Sequence, residues 1–148
     1  MSKHLLEVNN LQTVFRLHNG TVRAVDDVSF YVDEGEIIGV VGESGSGKSV
    51  TMKSILKLID MPPGEIVGGE AIFKNQNILT YGASSSEMRS IRGGGISMIF
   101  QEPMTSLNPV LTVGQQIEES IMIHLGYSRA KARERAIELL GMVGIPDG

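Results

Sequence analysis

Residues 42–49 read Gly-Glu-Ser-Gly-Ser-Gly-Lys-Ser, an intact G-x-x-x-x-G-K-S phosphate-binding loop of the Walker A type, and the apolar run of residues 36–41, the expected phosphate-loop strand, leads into it. A main chain can turn its N–H groups inward around a polyphosphate only with backbone angles and close approaches that a Cβ obstructs. Gly42, Gly45 and Gly47 provide that freedom. The motif predicts binding of a nucleoside triphosphate; the alternative is a flexible Gly/Ser turn between a strand and a helix.

A helix is predicted directly after the loop, over residues 48–59, because Met52, Ile55, Leu56 and Ile59 share one helical face. Its N-terminal dipole would point at the phosphates. Lys48 is expected to reach the β- and γ-phosphates, and the Ser49 hydroxyl is expected to enter the shell of a Mg²⁺ ion. The predicted nucleotide-binding residues of the loop are Gly42, Glu43, Ser44, Gly45, Ser46, Gly47, Lys48, Ser49 and Val50.

Composition excludes several classes of function. A chain of 148 residues suits one domain with a modest core. The net charge of −4 gives no electrostatic support for nucleic-acid binding, since proteins that bind the phosphate backbone usually carry a basic excess. The absence of cysteine excludes disulfides, thiolate metal sites and cysteine catalysis. No apolar run approaches the length of a membrane span, so any role at a membrane is expected to be peripheral.

The segment before the loop is typical of β structure. Residues 4–32 are rich in Val, Leu and Phe and are interrupted by His18-Asn19-Gly20, where Asn-Gly is a strong hairpin signal. We therefore predict an antiparallel ribbon. Downstream, Pro-Pro-Gly at residues 62–64 is expected to stop the first helix, and a short strand is predicted over residues 70–74.

A polar residue follows a second apolar segment. Residues 84–87 resemble a capping box that opens a short helix ending at the glycines 93–95. Residues 96–100 read Ile-Ser-Met-Ile-Phe, predict a buried strand, and are followed at once by Gln101. Because α/β proteins place their chemistry at the ends of core strands, Gln101 is a candidate site residue.

Two further helices are predicted near the end of the sequence. Thr112 and Gln115 form a capping-box pattern before an apolar face at helical spacing, and Ser128 is the expected cap of the last helix. The basic residues of that last helix are interpreted as a solvated face rather than a nucleic-acid patch, because acidic residues partly balance them.

Taken in order, these motifs resemble the ATP-binding subunit of ATP-binding-cassette (ABC) transporters. Residues 41–51 and residues 98–109 (Met-Ile-Phe-Gln-Glu-Pro-Met-Thr-Ser-Leu-Asn-Pro) are similar to the peptide importer branch, which handles dipeptides, oligopeptides and, in some members, nickel. The resemblance implies an α/β fold: a truncated P-loop NTPase (ABC ATPase) core with an N-terminal antiparallel β ribbon and the start of a helical subdomain. Residues 1–111 would form the core, and residues 112–148 the incomplete beginning of the helical subdomain.

The resemblance also implies roles for individual residues. Gln101 would be the glutamine that contacts Mg²⁺ and positions the attacking water, an assignment suited to a side chain that offers an oxygen and N–H groups without titrating. The alternative is a loop residue that caps backbone groups. Phe15 would stack on adenine, although a ribbon Phe is also an ordinary core residue, and Val25 would close the other side of the base.

One loop position departs from the family pattern. Val50 stands where family members often have Thr, so an α-phosphate contact there would come from the Val50 backbone N–H, with Thr51 as a substitute.

The hydrolytic machinery of the family is incomplete in this sequence. It contains no Leu-Ser-Gly-Gly signature, no apolar strand ending in Asp-Glu and no following switch histidine. The chain therefore resembles an N-terminal portion. We expect apolar edges to be exposed beside the phosphate-loop strand and ATPase activity to be weak or absent in these residues alone.

The family implies ATP and Mg²⁺ as cofactors and two partners: a second ATPase subunit in a head-to-tail dimer, and a membrane permease that contacts residues 102–109. It also implies a peripheral location at the cytoplasmic face of the inner membrane, and the net charge of −4 gives no reason to expect a nucleic-acid partner. Two alternatives remain at this point, namely a soluble ABC-type ATPase of repair or translation and a non-catalytic nucleotide-binding fragment.

Overall fold

The computed structural model describes residues 4–101 and 106–145. The chain divides after Met88 into two compact units, which are considered separately. The first unit contains four strands, one helix and a 3₁₀ turn, a short helix begins in the first unit and ends in the second, and two longer helices lie in the second. The predicted division between residues 111 and 112 remains a prediction. In chain order the bounds are β1 Leu6–Leu17, β2 Gly20–Val32, α1 Lys48–Ile55, β3 Gly64–Phe73, β4 Gln76–Asn77, the 3₁₀ turn Ile78–Thr80, α2 Ser86–Ile91, α3 Val113–Leu125 and α4 Arg129–Met142.

The predicted antiparallel ribbon is confirmed. β1 and β2 pair antiparallel, and Leu17 opposite Gly20 closes the hairpin over His18-Asn19. β3 pairs with the other edge of β1, so the strand order is β2-β1-β3-β4. The buried apolar residues of this unit are Val8, Leu11, Val14, Val25, Ile55, Leu56, Ile59, Ala71, Phe73, Ile78 and Met88.

Strand β3 begins earlier than the sequence predicts, at Gly64 rather than residue 70. The pair Gly68-Gly69 lies inside the strand, at a register shift against β1. Gly69 has φ of 93°, and a Cβ there would lie 2.5 Å from the Cα of Leu11. The glycines therefore permit a bulge and a close strand approach, which explains why reading them as a strand boundary was wrong.

Helix α1 follows the phosphate loop as predicted but ends at Ile55 instead of residue 59. Lys57 adopts a left-handed φ of 50°, and the Leu58 N–H bonds back to the Lys53 carbonyl, so the regular helix stops there. The predicted apolar face is nevertheless used, because Ile55, Leu56 and Ile59 are all buried.

Two predicted strands are wrong. Neither residues 36–41 nor residues 96–100 form a strand in the described part of the chain; Ile96 makes only an isolated bridge with Arg92. Ile37, Val41 and Ile99 are 96–97% exposed. A buried strand requires neighbouring strands to pair with its backbone groups and to cover its side chains, and the described residues supply none beside these segments.

The second unit is built on α3 and α4. The predicted capping box is confirmed: the Gln115 N–H donates to Thr112 Oγ1 at 3.2 Å, and the Thr112 N–H donates to Gln115 Oε1 at 2.9 Å. The Ser128 hydroxyl caps α4 as predicted. Ile121 packs with Ala132 and Ala136 between the helices.

The short helix predicted to open at residues 84–87 is confirmed as α2, and its Met88 N–H donates to Ser85 Oγ at 3.2 Å. Within the residues that the structure describes, no helix combines the length and apolarity needed to cross a membrane.

Candidate nucleotide-binding site

The phosphate loop has the backbone that its glycines predict. Gly45 and Gly47 adopt left-handed φ angles of 80° and 89°. A Cβ on Gly47 would lie 2.3 Å from the carbonyl oxygen of Ala24 in β2, and one on Gly42 would lie 2.7 Å from Ser46 Oγ. The contact at Gly47 is with backbone, so the loop can adopt this form only without a side chain there, whereas the Ser46 hydroxyl could rotate away from a side chain on Gly42.

The ammonium group of Lys48 is held by the loop itself. Its Nζ donates to the Gly42 carbonyl at 2.6 Å, to the Glu43 carbonyl at 2.7 Å and to Ser46 Oγ at 3.2 Å. A lysine ammonium has three donors, and these three acceptors fix it against the curve of the loop. The positive charge is therefore concentrated where an anion would meet the loop.

The start of helix α1 adds backbone donors to this charge. Gly47 is the N-cap and makes no side-chain cap hydrogen bond, and no acidic residue lies in the first turn. The first N–H groups of a helix have no partner within the helix, and the helix dipole places partial positive charge there. Ser49 is exposed on this turn. A helix end with backbone donors beside a lysine ammonium is an arrangement that can bind an anion such as a polyphosphate.

Thr51 is committed to the loop backbone rather than to a ligand. Its side chain is 6% exposed, and its Oγ1 donates to the Gly47 carbonyl at 2.9 Å. A contact of Thr51 with the α-phosphate would require this hydroxyl to leave the Gly47 carbonyl, and it stays a prediction. The Val50 backbone N–H remains the predicted contact at that point.

Phe15 lies on β1 and is half-buried. It stands opposite Val22 on β2 and Gly64 on β3, and a Cβ on Gly64 would be 3.2 Å from Phe15 Cε1. The ring therefore packs on the Gly64 backbone and keeps part of its surface accessible. Val25 is 2% exposed, so nearly all of its side chain is used in packing. The contacts of both residues with a base stay predictions.

Gln101 is exposed and belongs to the second unit. Of the predicted permease loop, residues 102–105 lie outside the described residues. The remainder is tied to α3: the Asn108 N–H donates to Gln116 Oε1 at 3.0 Å, and Gln116 Nε2 donates to the Asn108 carbonyl at 3.1 Å. Gln116 was not identified from the sequence. Its signal is an amide at the start of a capped helix, which is too common to be diagnostic.

Ser49, exposed on the first turn of α1, offers the kind of hard oxygen that Mg²⁺ prefers, and Mg²⁺ binding stays a prediction. No group of three or more His, Cys, Asp or Glu side chains that could hold a metal exists in the described ranges 4–101 and 106–145. The predicted ligands are instead the Ser49 hydroxyl and the Gln101 amide oxygen, neutral hard oxygens that leave the charge balance to the phosphates.

Comparison with known proteins identifies the family. The family model described as ABC transporter matches residues 25–148. The chain is 49% identical over 142 residues to the oligopeptide transport ATP-binding protein OppD of Bacillus subtilis (strain 168), which covers 96% of this chain and 39% of the relative. It is 51% identical over 143 residues to the probable peptide ABC transporter ATP-binding protein y4tR of Sinorhizobium fredii (strain NBRC 101917 / NGR234), which covers 97% of this chain and 42% of the relative.

A solved structure has the same fold. The dimeric, post-hydrolysis state of the ATP-binding cassette MJ0796 bound to ADP and Pi matches with a TM-score of 0.76 and 26% identity, over 93% of this chain and 56% of that chain. The predicted fold class is thereby confirmed. This chain spans about two fifths of the length of the curated relatives above, 39% and 42%. With its phosphate loop formed and its family model matched over residues 25–148, the chain belongs to the ABC transporter family.

Proposed function

We propose that this chain binds ATP with Mg²⁺ at residues 42–50 and is the nucleotide-holding portion of an ATPase that energises peptide import. The observation that carries the proposal is the Lys48 ammonium, held on the Gly42 and Glu43 carbonyls at 2.6 and 2.7 Å at the open end of helix α1. This arrangement collects positive charge and backbone donors at one point, where a triphosphate needs both.

The side chain of Lys48 and the backbone N–H groups of the loop would make different phosphate contacts. Lys48 would exchange its loop carbonyls for β- and γ-phosphate oxygens, while the N–H groups of residues 44–50 bind the chain of phosphates. Mg²⁺, when bound, supplies charge neutralisation between the phosphates, and the Ser49 hydroxyl together with the Gln101 amide would hold it. Gln101 would also orient water, because its amide can donate and accept hydrogen bonds without changing its charge.

The base would be bound on the ribbon. Phe15 would stack on adenine through its accessible surface, and Val25 would contribute apolar contact at the edge of the same site. Stacking on an aromatic face discriminates weakly among bases, so most of the affinity is expected to come from the phosphates.

The names of the relatives support the assignment of the transported solute and of the partners. OppD is named for oligopeptide transport and y4tR for a peptide ABC transporter, which favours peptides as the solute class over a soluble repair or translation ATPase. The MJ0796 cassette is a dimer bound to ADP and Pi, which supports pairing with a second ATPase subunit. We further propose that a membrane permease contacts residues 102–109 and that the protein lies at the cytoplasmic face of the inner membrane as a peripheral protein. We propose no nucleic-acid partner.

Calorimetric titration of the 148-residue chain with ATP and Mg²⁺ tests the nucleotide site. Lys48→Ala removes charge-assisted hydrogen bonds and should weaken binding roughly tenfold to hundredfold. Lys74→Ala, a change of the same type at an exposed lysine of the same unit, is the control and should leave the affinity unchanged. Equal binding by the Lys48→Ala variant would contradict the proposal.

Hydrolysis is tested on the same samples. The chain lacks a signature segment and an Asp-Glu strand, so phosphate release should stay near background. Steady turnover that the Lys48→Ala substitution abolishes would show that these residues suffice for catalysis.

A further inference from the structure

Two fully buried hydroxyl groups connect the ribbon to the phosphate-loop helix. Thr13 on β1 and Ser54 on α1 are both 0% exposed. Thr13 Oγ1 donates to Ser54 Oγ at 2.9 Å, and Ser54 Oγ donates to the Val50 carbonyl at 2.7 Å. The bond to the carbonyl four residues earlier satisfies Ser54 within its own helix and leaves its oxygen free to accept from Thr13.

The position of this hydroxyl pair relates it to both ends of the proposed nucleotide site. Thr13 precedes Phe15 by two residues on β1. The pairing with β3 has no shift between them, and the shift against β2 between Thr13 and Val14 adds a residue to β2 and none to β1, so both side chains lie on the same face of β1. At the other end, Val50 lies in the first turn of α1, beside Lys48 and Ser49. One chain of hydrogen bonds therefore runs from the base-binding strand to the residue expected at the α-phosphate.

A buried pair of hydroxyl groups stabilises a core less than apolar side chains of the same volume would. An apolar pair of similar volume would avoid the desolvation of two oxygens, and the net gain from a neutral hydrogen bond is small. The pair instead fixes the relative position of the helix and the strand. Hydrogen bonds weaken steeply as their angles depart from linear, whereas apolar contacts tolerate sliding. Two bonds in series thus fix the helix against the strand.

We propose that Thr13 and Ser54 are positioning residues that hold the base-binding strand in register with the phosphate loop. This inference rests on the proposed function, in which ATP contacts both Phe15 and the loop. A ligand that spans both elements gains affinity when their spacing is fixed in advance, whereas a ligand that touches only the loop gains nothing from the ribbon.

The test compares Mg²⁺-ATP with Mg²⁺-tripolyphosphate, which has the phosphates but no base, in calorimetric titrations of the full chain. Thr13→Val keeps the volume and removes the donor; we expect it to weaken ATP binding roughly threefold to tenfold and to leave tripolyphosphate binding unchanged. Thr13→Ser keeps an Oγ and should retain the affinity for ATP. In the Phe15→Ala background, Thr13→Val should have no further effect.

Controls separate positioning from general destabilisation. Ile78→Val removes a buried methylene far along the chain from the hydroxyl pair, and should lower stability without changing the ratio of the two affinities. Ser54→Ala provides a second route to the same loss if Thr13→Val does not fold, as judged by circular dichroism.

The outcomes are distinct. Equal weakening of ATP and tripolyphosphate would mean that the pair shapes the loop alone, and no change in either would mean that it only stabilises the fold; both results overturn the inference while the proposed function stands. If the unmodified chain binds ATP no better than its Lys48→Ala variant, the proposed function fails and the inference fails with it.

Discussion

Replacing Gly47 by alanine should destabilise the first unit much more than the same replacement of Gly45. Both glycines belong to the phosphate loop and both have left-handed φ angles, 89° and 80°. A Cβ on Gly47 would lie 2.3 Å from the Ala24 carbonyl oxygen, whereas a Cβ on Gly45 would have no heavy atom within 4 Å. The pair therefore separates the cost of backbone strain from the cost of a collision.

The two costs can be estimated separately. A left-handed non-glycine residue costs about 1–2 kcal/mol, and this applies to both variants. The overlap at Gly47 involves main-chain atoms of a paired strand that cannot rotate away, and overpacking of this kind typically costs about 1–3 kcal/mol more. We expect the free energy of unfolding to fall by about 1–2 kcal/mol for Gly45→Ala and by about 2–5 kcal/mol for Gly47→Ala.

The measurement is urea unfolding without nucleotide, followed by far-ultraviolet circular dichroism, with the denaturant slope compared between variants. Working without nucleotide matters because ligand binding adds its own stabilisation. If the two substitutions lower the free energy of unfolding equally, the approach of Gly47 to Ala24 does not constrain the loop and the reasoning is refuted.

Thr112→Ala should lower the stability of helix α3 by about 1 kcal/mol, seen as faster amide exchange in its first turns, because the N-cap oxygen is lost; unchanged exchange would contradict the role of the cap. Hydrogen bonds from its own backbone N–H, then from the Ser85 and Ser86 hydroxyls, lower the pKa of Glu87 from its ordinary value of 4.5. A lowered folded-state pKa means that the contribution of Glu87 to stability is complete above pH 4.5 and is lost as the pH falls through that lower pKa. A carboxyl titration followed by NMR should have its midpoint below 4.5, and the acid-dependent part of this contribution should be missing in Glu87→Gln; a midpoint at or above 4.5 would contradict it.

Features set by nearest neighbours along the chain were predicted well from the sequence. The loop glycines, the helix after the loop, the hairpin at Asn19-Gly20 and the capping box at Thr112 all depend on contacts within a few residues. Such contacts form wherever the residues occur in that order, so periodicity and spacing were enough to find them.

Features that need distant partners were predicted less well. Residues 36–41 and 96–100 have the composition of buried strands, yet the described chain provides no neighbouring strands and Ile37 and Ile99 are 97% exposed. In β3, the pair Gly68-Gly69 signalled an interruption, whereas its close approach to β1 made it part of a bulged strand. Local composition cannot tell whether a partner strand will be present.

The sequence by itself determined the kind of site: eight consecutive residues, 42–49, specify a phosphate loop because glycine angles and a lysine at fixed spacing are local properties. The tertiary structure decided how the surrounding hydroxyls are used. Thr51, adjacent to the loop and a candidate phosphate contact, turns its Oγ1 to the Gly47 carbonyl at 2.9 Å. Ser54, which the sequence marks only as a polar helix residue, meets Thr13 from 41 positions earlier. A hydroxyl bonds to whichever donor or acceptor the fold brings within about 3 Å, and only the packing of α1 on the ribbon fixes which one that is.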